Sequence, residues 1–202
     1  MMESFNQLKI GITGGIGSGK STICRIFELL DIPSYNSDVR AKDLIHSHPT
    51  LIDLYKTHFG QDVFEGGTLD TKRVSKVLFK HPQLLHTIQK VVHPIVRSDF
   101  AVWAHQQNSK WVINEAAVLF EGGTYVDMDV MITVVAPAEL RIARVMKRSG
   151  LTESEIKARM DNQWSDNKKI VLSDFVIYAD DRQLVTPQVL TFYNKLVENS
   201  FE

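Results

Sequence analysis

The sequence predicts an α/β fold with a parallel sheet, on three observations. Five short β-prone runs alternate with segments of helical spacing from end to end of the chain. The strongest of them, Val130-Met131-Ile132-Thr133-Val134-Val135, is almost wholly apolar, as in a strand covered on both faces. A glycine-rich turn joins the first run, Leu8-Lys9-Ile10-Gly11-Ile12-Thr13, to a helical pattern carried by Ile23, Ile26, Phe27 and Leu30.

That turn, Gly14-Gly15-Ile16-Gly17-Ser18-Gly19-Lys20-Ser21-Thr22, fits the phosphate-loop pattern G-x-x-x-x-G-K-[ST]. The spacing has a physical basis. Several backbone N–H groups must converge on one anion, and a Cβ at the tight bends would obstruct them. The helix that begins near Gly19 adds the partial positive charge of its N-terminus. Gly15, Ile16, Gly17, Ser18, Gly19, Lys20, Ser21 and Thr22 are therefore expected to hold the phosphates of a nucleoside triphosphate. Lys20 is expected to reach the β- and γ-phosphates, and the Ser21 hydroxyl to ligate Mg²⁺.

The second β-run ends near Asn36, and Ser37-Asp38 follows at its carboxyl end, where open α/β sheets bind ligands. Asp38 is expected to face the phosphate loop and to receive an acceptor hydroxyl's proton; helix capping is its other reading. Residues 40–105 hold no parallel strand and read as a helical insertion for the second substrate. Its helices are expected at 50–59, at 71–79 and from Pro82, with a turn at Glu65-Gly66-Gly67-Thr68 and a kink at Pro94. Residues 1–39 and 106–202 would form the nucleotide-binding core.

Trp111-Val112-Ile113-Asn114 is the third run, closed by Glu115, which is either a plain strand-end carboxylate or a holder of Mg²⁺-bound water. After the fourth run, Pro137 opens a helix with Arg141, Arg144 and Arg148 on one face. Clustered like charges destabilise an isolated helix slightly, whereas a polyanionic ligand would reverse the sign. Gly150 ends that helix, and Thr152 with Glu155 has the spacing of a capping box for the next, which carries Arg159, Met160 and Gln163. The pair, about 142–165, reads as a lid bringing Arg144 and Arg148 to the moving phosphoryl group. Phe175-Val176-Ile177-Tyr178 is the fifth run, and residues 187–197 a closing amphipathic helix.

The formal net charge of −1 gives no overall basic field, which argues against a nucleic-acid partner. The single cysteine, Cys24, permits no internal disulfide, as suits a reducing compartment. No run approaches the ~18 apolar residues of a membrane span. Met1-Met2-Glu3-Ser4 lacks a leader's charged-then-apolar pattern, so the cytoplasm is expected, with the chain a monomer or weak homo-oligomer. A guanine-reading N-K-x-D is absent, since Asn194-Lys195-Leu196-Val197 lacks the aspartate. Phosphoryl transfer to a small molecule is favoured. A nucleoside or nucleoside-monophosphate kinase and a non-kinase nucleotide switch are the rivals.

In these features the sequence resembles the dephospho-coenzyme A kinases over nearly its whole length. The resemblance rests on the loop, on Asn36-Ser37-Asp38 for the family's D-A-D, and on His93-Pro94. It extends to Ala117-Val118-Leu119-Phe120-Glu121 for P-L-L-F-E, Arg144 and Arg148 for R-x-x-x-R, and Arg159 and Gln163 for R-x-x-x-Q. The family's A-D-x-V-I-x-N stands as Ser173-Asp174-Phe175-Val176-Ile177-Tyr178-Ala179, with alanine in place of the asparagine near adenine. The resemblance implies ATP-dependent phosphorylation of the 3′-hydroxyl of dephospho-coenzyme A. It also implies sheet order 2-3-1-4-5 and substrate contacts from Asp38, His93, Leu119, Glu121 and Arg159.

Overall fold

The computed structural model describes residues 7–198, the side chains of Phe79 and Pro82 excepted. The polar opening Met1-Met2-Glu3-Ser4 lies outside the described residues. Five strands, β1 (Leu8–Thr13), β2 (Ser34–Asn36), β3 (Trp111–Glu115), β4 (Val130–Val135) and β5 (Phe175–Tyr178), form one sheet in the order β2-β3-β1-β4-β5. Every neighbouring pair is parallel. The expected P-loop nucleotide-binding architecture, five parallel strands flanked by helices, is the one observed. The described chain divides into two compact units: residues up to Asn36 with those from Gln106 onward, and Ser37–His105.

The first unit holds the sheet. Alternate residues of its strands point to opposite faces, so Ile10 and Ile12 of β1 and Val130, Ile132 and Val134 of β4 enter one apolar cluster. Helix α1 (Lys20–Glu28) gives that cluster Ile23, Cys24 and Phe27, and α9 (Val185–Val197) gives it Val189, Phe192 and Leu196. Phe27 and Phe192 meet edge to face at 5.7 Å between ring centroids. On the opposite face Met131 packs with Ala116, Leu119, Phe120, Met128 and Trp164. A Cβ on Gly11 would crowd the Met131 and Met128 side chains, which would have to shift. Helix α6 (Ala138–Ser149) ends at Gly150 in the left-handed region, and α7 (Glu153–Asp161) begins with the complete Thr152–Glu155 capping box. Helix α7 ends before Gln163, which lies in the connection to α8 (Asp166–Val171), a helix the sequence did not announce. Ser165 caps that short helix by accepting from the Lys168 N–H, which is why the chain breaks and restarts there.

The second unit is helical: α2 (Ser37–Ser47), α3 (Pro49–Phe59), α4 (Thr71–Lys80) and α5 (Pro82–His105). Helix α5 runs unbroken for 24 residues, so Pro94 does not divide it. Ile88, Val92, Val96, Phe100 and Ala104 form a buried stripe at intervals of four on both sides of the proline. That continuous burial outweighs the one lost N–H donor. The Gly66 and Gly67 turn after α3 has φ of 68° and 76°, as its sequence suggests. Among the described residues no helix is long and apolar enough to cross a membrane.

His93 is half-buried on α5, and burial lowers its pKa from the ordinary 6.5 despite the opposing pull of the Asp38 carboxylate. Above pH 6.5 the imidazole is neutral folded and unfolded, and nothing changes. Below 6.5 the unfolded chain binds the proton first, so stability falls with pH until the lowered folded value is passed. A urea midpoint that drops between pH 7.5 and 5.5, with a smaller drop in His93→Gln, is the expected result.

Candidate functional site

The site is built where β1 leaves the sheet. Gly14 has φ 146° and a Cβ on it would meet the Val134 carbonyl of β4, so the chain turns there only with glycine. Gly19, in the left-handed region at φ 105°, is the N-cap of α1. Lys20 is 7% exposed, and its ammonium donates to the carbonyls of Gly14 at 2.9 Å and Gly15 at 3.4 Å. The Ser18 N–H is bonded within the loop to the Gly15 carbonyl at 3.1 Å. Its hydroxyl is buried with no hydrogen-bond partner. The Ile16 N–H donates to Gln163 Oε1 at 2.9 Å.

At the carboxyl end of β3, Glu115 is 6% exposed. Its Oε1 accepts from the Ser21 hydroxyl at 2.8 Å, and its Oε2 accepts from Asn36 Nδ2 at 2.7 Å. Cys24, one turn into α1, is an inert thiol whose pKa is raised chiefly by burial and then by the Glu115 charge.

Helix α6 lies against the loop. Arg141 is buried, donates from Nε to the Ile16 carbonyl at 3.0 Å, and pairs through Nη1 with Asp166 at 3.1 Å. Its guanidinium fills the space that a Cβ on Gly15 would need. Arg144 donates from Nη1 to the Ser18 carbonyl at 3.3 Å and from Nη2 to the Ala179 carbonyl at 2.9 Å and Asp181 at 2.6 Å. It thus faces the carbonyl side of the loop. Arg148 and Arg159 are exposed, on α6 and α7. A cavity of about 500 Å³ adjoins the start of α1, lined by Gly19, Thr22, Arg144, Ala179, Asp181 and Gln183 among others.

Leu119 is 2% exposed within the Phe120–Met131 cluster. Glu121 Oε1 accepts from the Trp164 N–H at 2.8 Å and lies 3.0 Å from Lys169 Nζ, while its Oε2 is buried without a partner. Lys169 is fully buried and also donates to the Ala117 carbonyl at 2.8 Å. Glu121 thus fastens α8 through Lys169, and Leu119 packs in the cluster that includes Trp164. In the helical unit, Asp38 is the exposed second residue of α2, and its charge acts on His93.

Loop, strand-end carboxylate and arginine-bearing helix are brought together within the sheet unit. Sequence reasoning missed Asp166, Lys169 and Asp181. Nothing in Asp166-Asn167-Lys168-Lys169 separates the buried lysine from the exposed one before it.

A five-stranded parallel sheet in this order, with a lysine-bearing phosphate loop opening α1, defines a P-loop nucleotide-binding protein. The chain belongs to the dephospho-CoA kinase family, whose sequence profile matches residues 8–184. It is 33% identical over 184 residues to the dephospho-CoA kinase of Bacteroides fragilis, covering 91% of this chain and 90% of that one. It is 33% identical over 206 residues to that of Chlorobium luteolum, covering 98% and 94%. A crystal structure of a Thermus thermophilus protein superposes with a TM-score of 0.78 at 29% identity, covering 97% of this chain and 98% of that one.

Removing one member of the buried Lys169–Glu121 pair strands the other's charge. Lys169→Ala is expected to cost about 3 kcal/mol in urea unfolding. The double variant Lys169→Ala, Glu121→Ala should lose less than the sum of the single losses.

Proposed function

We propose that the protein transfers the γ-phosphoryl group of ATP to the 3′-hydroxyl of dephospho-coenzyme A, giving coenzyme A and ADP. This is the last step of coenzyme A synthesis, carried out in the cytoplasm by a monomer or weak homo-oligomer. Family membership supports the substrate. The observation that carries the mechanism is the loop itself, with its Lys20 ammonium drawn in beneath it at the N-terminus of α1.

In this reading the amides of Gly17, Gly19, Lys20 and Ser21 cradle the phosphates, and the cavity lined by Thr22, Ala179 and Gln183 receives the adenosine. Lys20 leaves its resting carbonyls to meet the β- and γ-phosphates. Arg144 braces the loop from its carbonyl side through Gly17, Ser18 and Ala179. Arg148, with its guanidinium in solvent, is the arginine left to approach the γ-phosphate. Arg159 and His93 bind the acceptor. Asp38 takes the proton of the 3′-hydroxyl as the new P–O bond forms and the bond to the β-phosphate oxygen breaks.

The donor set fits Mg²⁺. The Ser21 hydroxyl and the buried Glu115 carboxylate are hard oxygens 2.8 Å apart, and Mg²⁺ asks for one or two such groups besides phosphates and waters. Ser21 would bind it directly and Glu115 through water. A divalent cation held by these two residues would supply charge neutralisation at the phosphates.

The test is a panel of acceptors with ATP. Stoichiometric ADP release with dephospho-coenzyme A, and not with AMP, CMP or uridine, is expected, with mass spectrometry locating the phosphate on the 3′-oxygen. Release with a nucleoside or nucleoside monophosphate instead would overturn the reading. Asp38→Asn should leave ATP affinity intact and lower turnover by about 10²–10⁴. Arg148→Ala should lower kcat more than ground-state ATP binding; equal losses would assign it to binding alone.

A further inference from the structure

Both polar groups of Ile16 are held by side chains from outside the phosphate loop. Its N–H donates to Gln163 Oε1 at 2.9 Å, and its carbonyl accepts from Arg141 Nε at 3.0 Å. The two clamping side chains are themselves joined. Arg141 Nη1 reaches both oxygens of Asp166, at 3.2 and 3.1 Å, and Asp166 lies three residues after Gln163. A closed ring of bonds therefore runs from the loop to the α7–α8 connection, into Asp166, across to α6 and back to the loop. The connection cannot drift, because the Trp164 N–H and Lys169 Nζ are both fixed on Glu121 Oε1.

The loop needs such a device. Gly14, Gly17 and Gly19 all take positive φ, and glycine gives up more backbone freedom on ordering than any other residue. A loop ordered only by its ligand would set that entropy against the binding energy; a loop ordered beforehand does not. The Ile16 peptide is the natural handle, since it directly precedes Gly17, where the proposed anion-binding amides begin.

We propose that Gln163 and Arg141 are positioning residues for phosphoryl transfer, holding the Ile16 peptide so that the following amides stay converged on the phosphates. The role in transfer rests on the function proposed above. The clamp itself does not, and the experiment separates them. Gln163→Met keeps the length of the side chain and removes the acceptor. Gln163→Glu keeps an acceptor.

In the nucleotide-free protein, hydrogen exchange at the Ile16 amide followed by NMR should quicken about tenfold in Gln163→Met, the worth of one hydrogen bond, and stay slow in Gln163→Glu. ADP affinity by calorimetry should weaken about tenfold in Gln163→Met while the urea midpoint falls by no more than the lost hydrogen bond accounts for. In the transferase assay KM for ATP should rise by a similar factor and KM for dephospho-coenzyme A should not move. An unchanged Ile16 exchange rate, or unchanged ADP affinity beside quickened exchange, overturns the proposal. If the parent protein phosphorylates no dephospho-coenzyme A, the acceptor assignment fails. The exchange and ADP measurements then still decide whether the clamp exists and serves the nucleotide.

Discussion

The convergence of backbone N–H groups on one anion is the constraint around which this molecule is arranged. Amides can converge only if the chain turns sharply, and it does so at Gly14, Gly17 and Gly19, in a region of φ that other residues avoid. Those turns bring the loop so close to its surroundings that neighbouring groups fill the space a side chain would take. The Val134 carbonyl stands at Gly14 and the Arg141 guanidinium at Gly15. The central strand β1, paired with β3 from Leu8 to Ile12 and with β4 from Ile10 to Thr13, supplies the rigid base from which so sharp a turn can be launched. Packing of α1 against Phe192 and Val189 of α9 fixes the other end.

Positive charge gathers round the same point by three routes: the N-terminus of α1, the Lys20 ammonium, and the arginines of α6. They hold different parts of the loop. Arg141 and Arg144 bond the carbonyl oxygens of Ile16 and Ser18, whereas the Lys20 ammonium bonds those of Gly14 and Gly15. Like charges repel, and the protein keeps two of the arginines in partnership with Asp166 and Asp181. Part of what looks like a ligand-seeking basic face in one dimension is therefore scaffolding in three.

What could be read from the sequence follows from where the information lies. Local signals were legible: the apolar run of β4, the Gly150 stop, the Thr152–Glu155 cap and the loop with its helix. Each is decided by residues within a turn of one another. The phosphate loop, the acidic end of β3 and the arginines of α6 were legible for the same reason. The partners of those arginines were not, because Ile16 and Arg141 are 125 positions apart and Ile16 and Gln163 are 147 apart. Lys169 reads as solvated and is instead fully buried, since only the fold brings Glu121 and the Ala117 carbonyl to it. Two departures from the family's pattern also find their setting in three dimensions. Asn36 donates to Glu115, where an aspartate would have set two carboxylates side by side. Ala179 contributes its main-chain oxygen to Arg144 and offers no side-chain polar group.

The position of Cys24 has a practical outcome. It is the only cysteine among the 202 residues, it is 2% exposed beneath the loop, and burial keeps its sulfur protonated. A thiol so placed can meet an alkylating reagent only when α1 lifts from the sheet. The native chain thus carries an intrinsic clock for that one opening event, readable by labelling rate alone, with no foreign probe introduced.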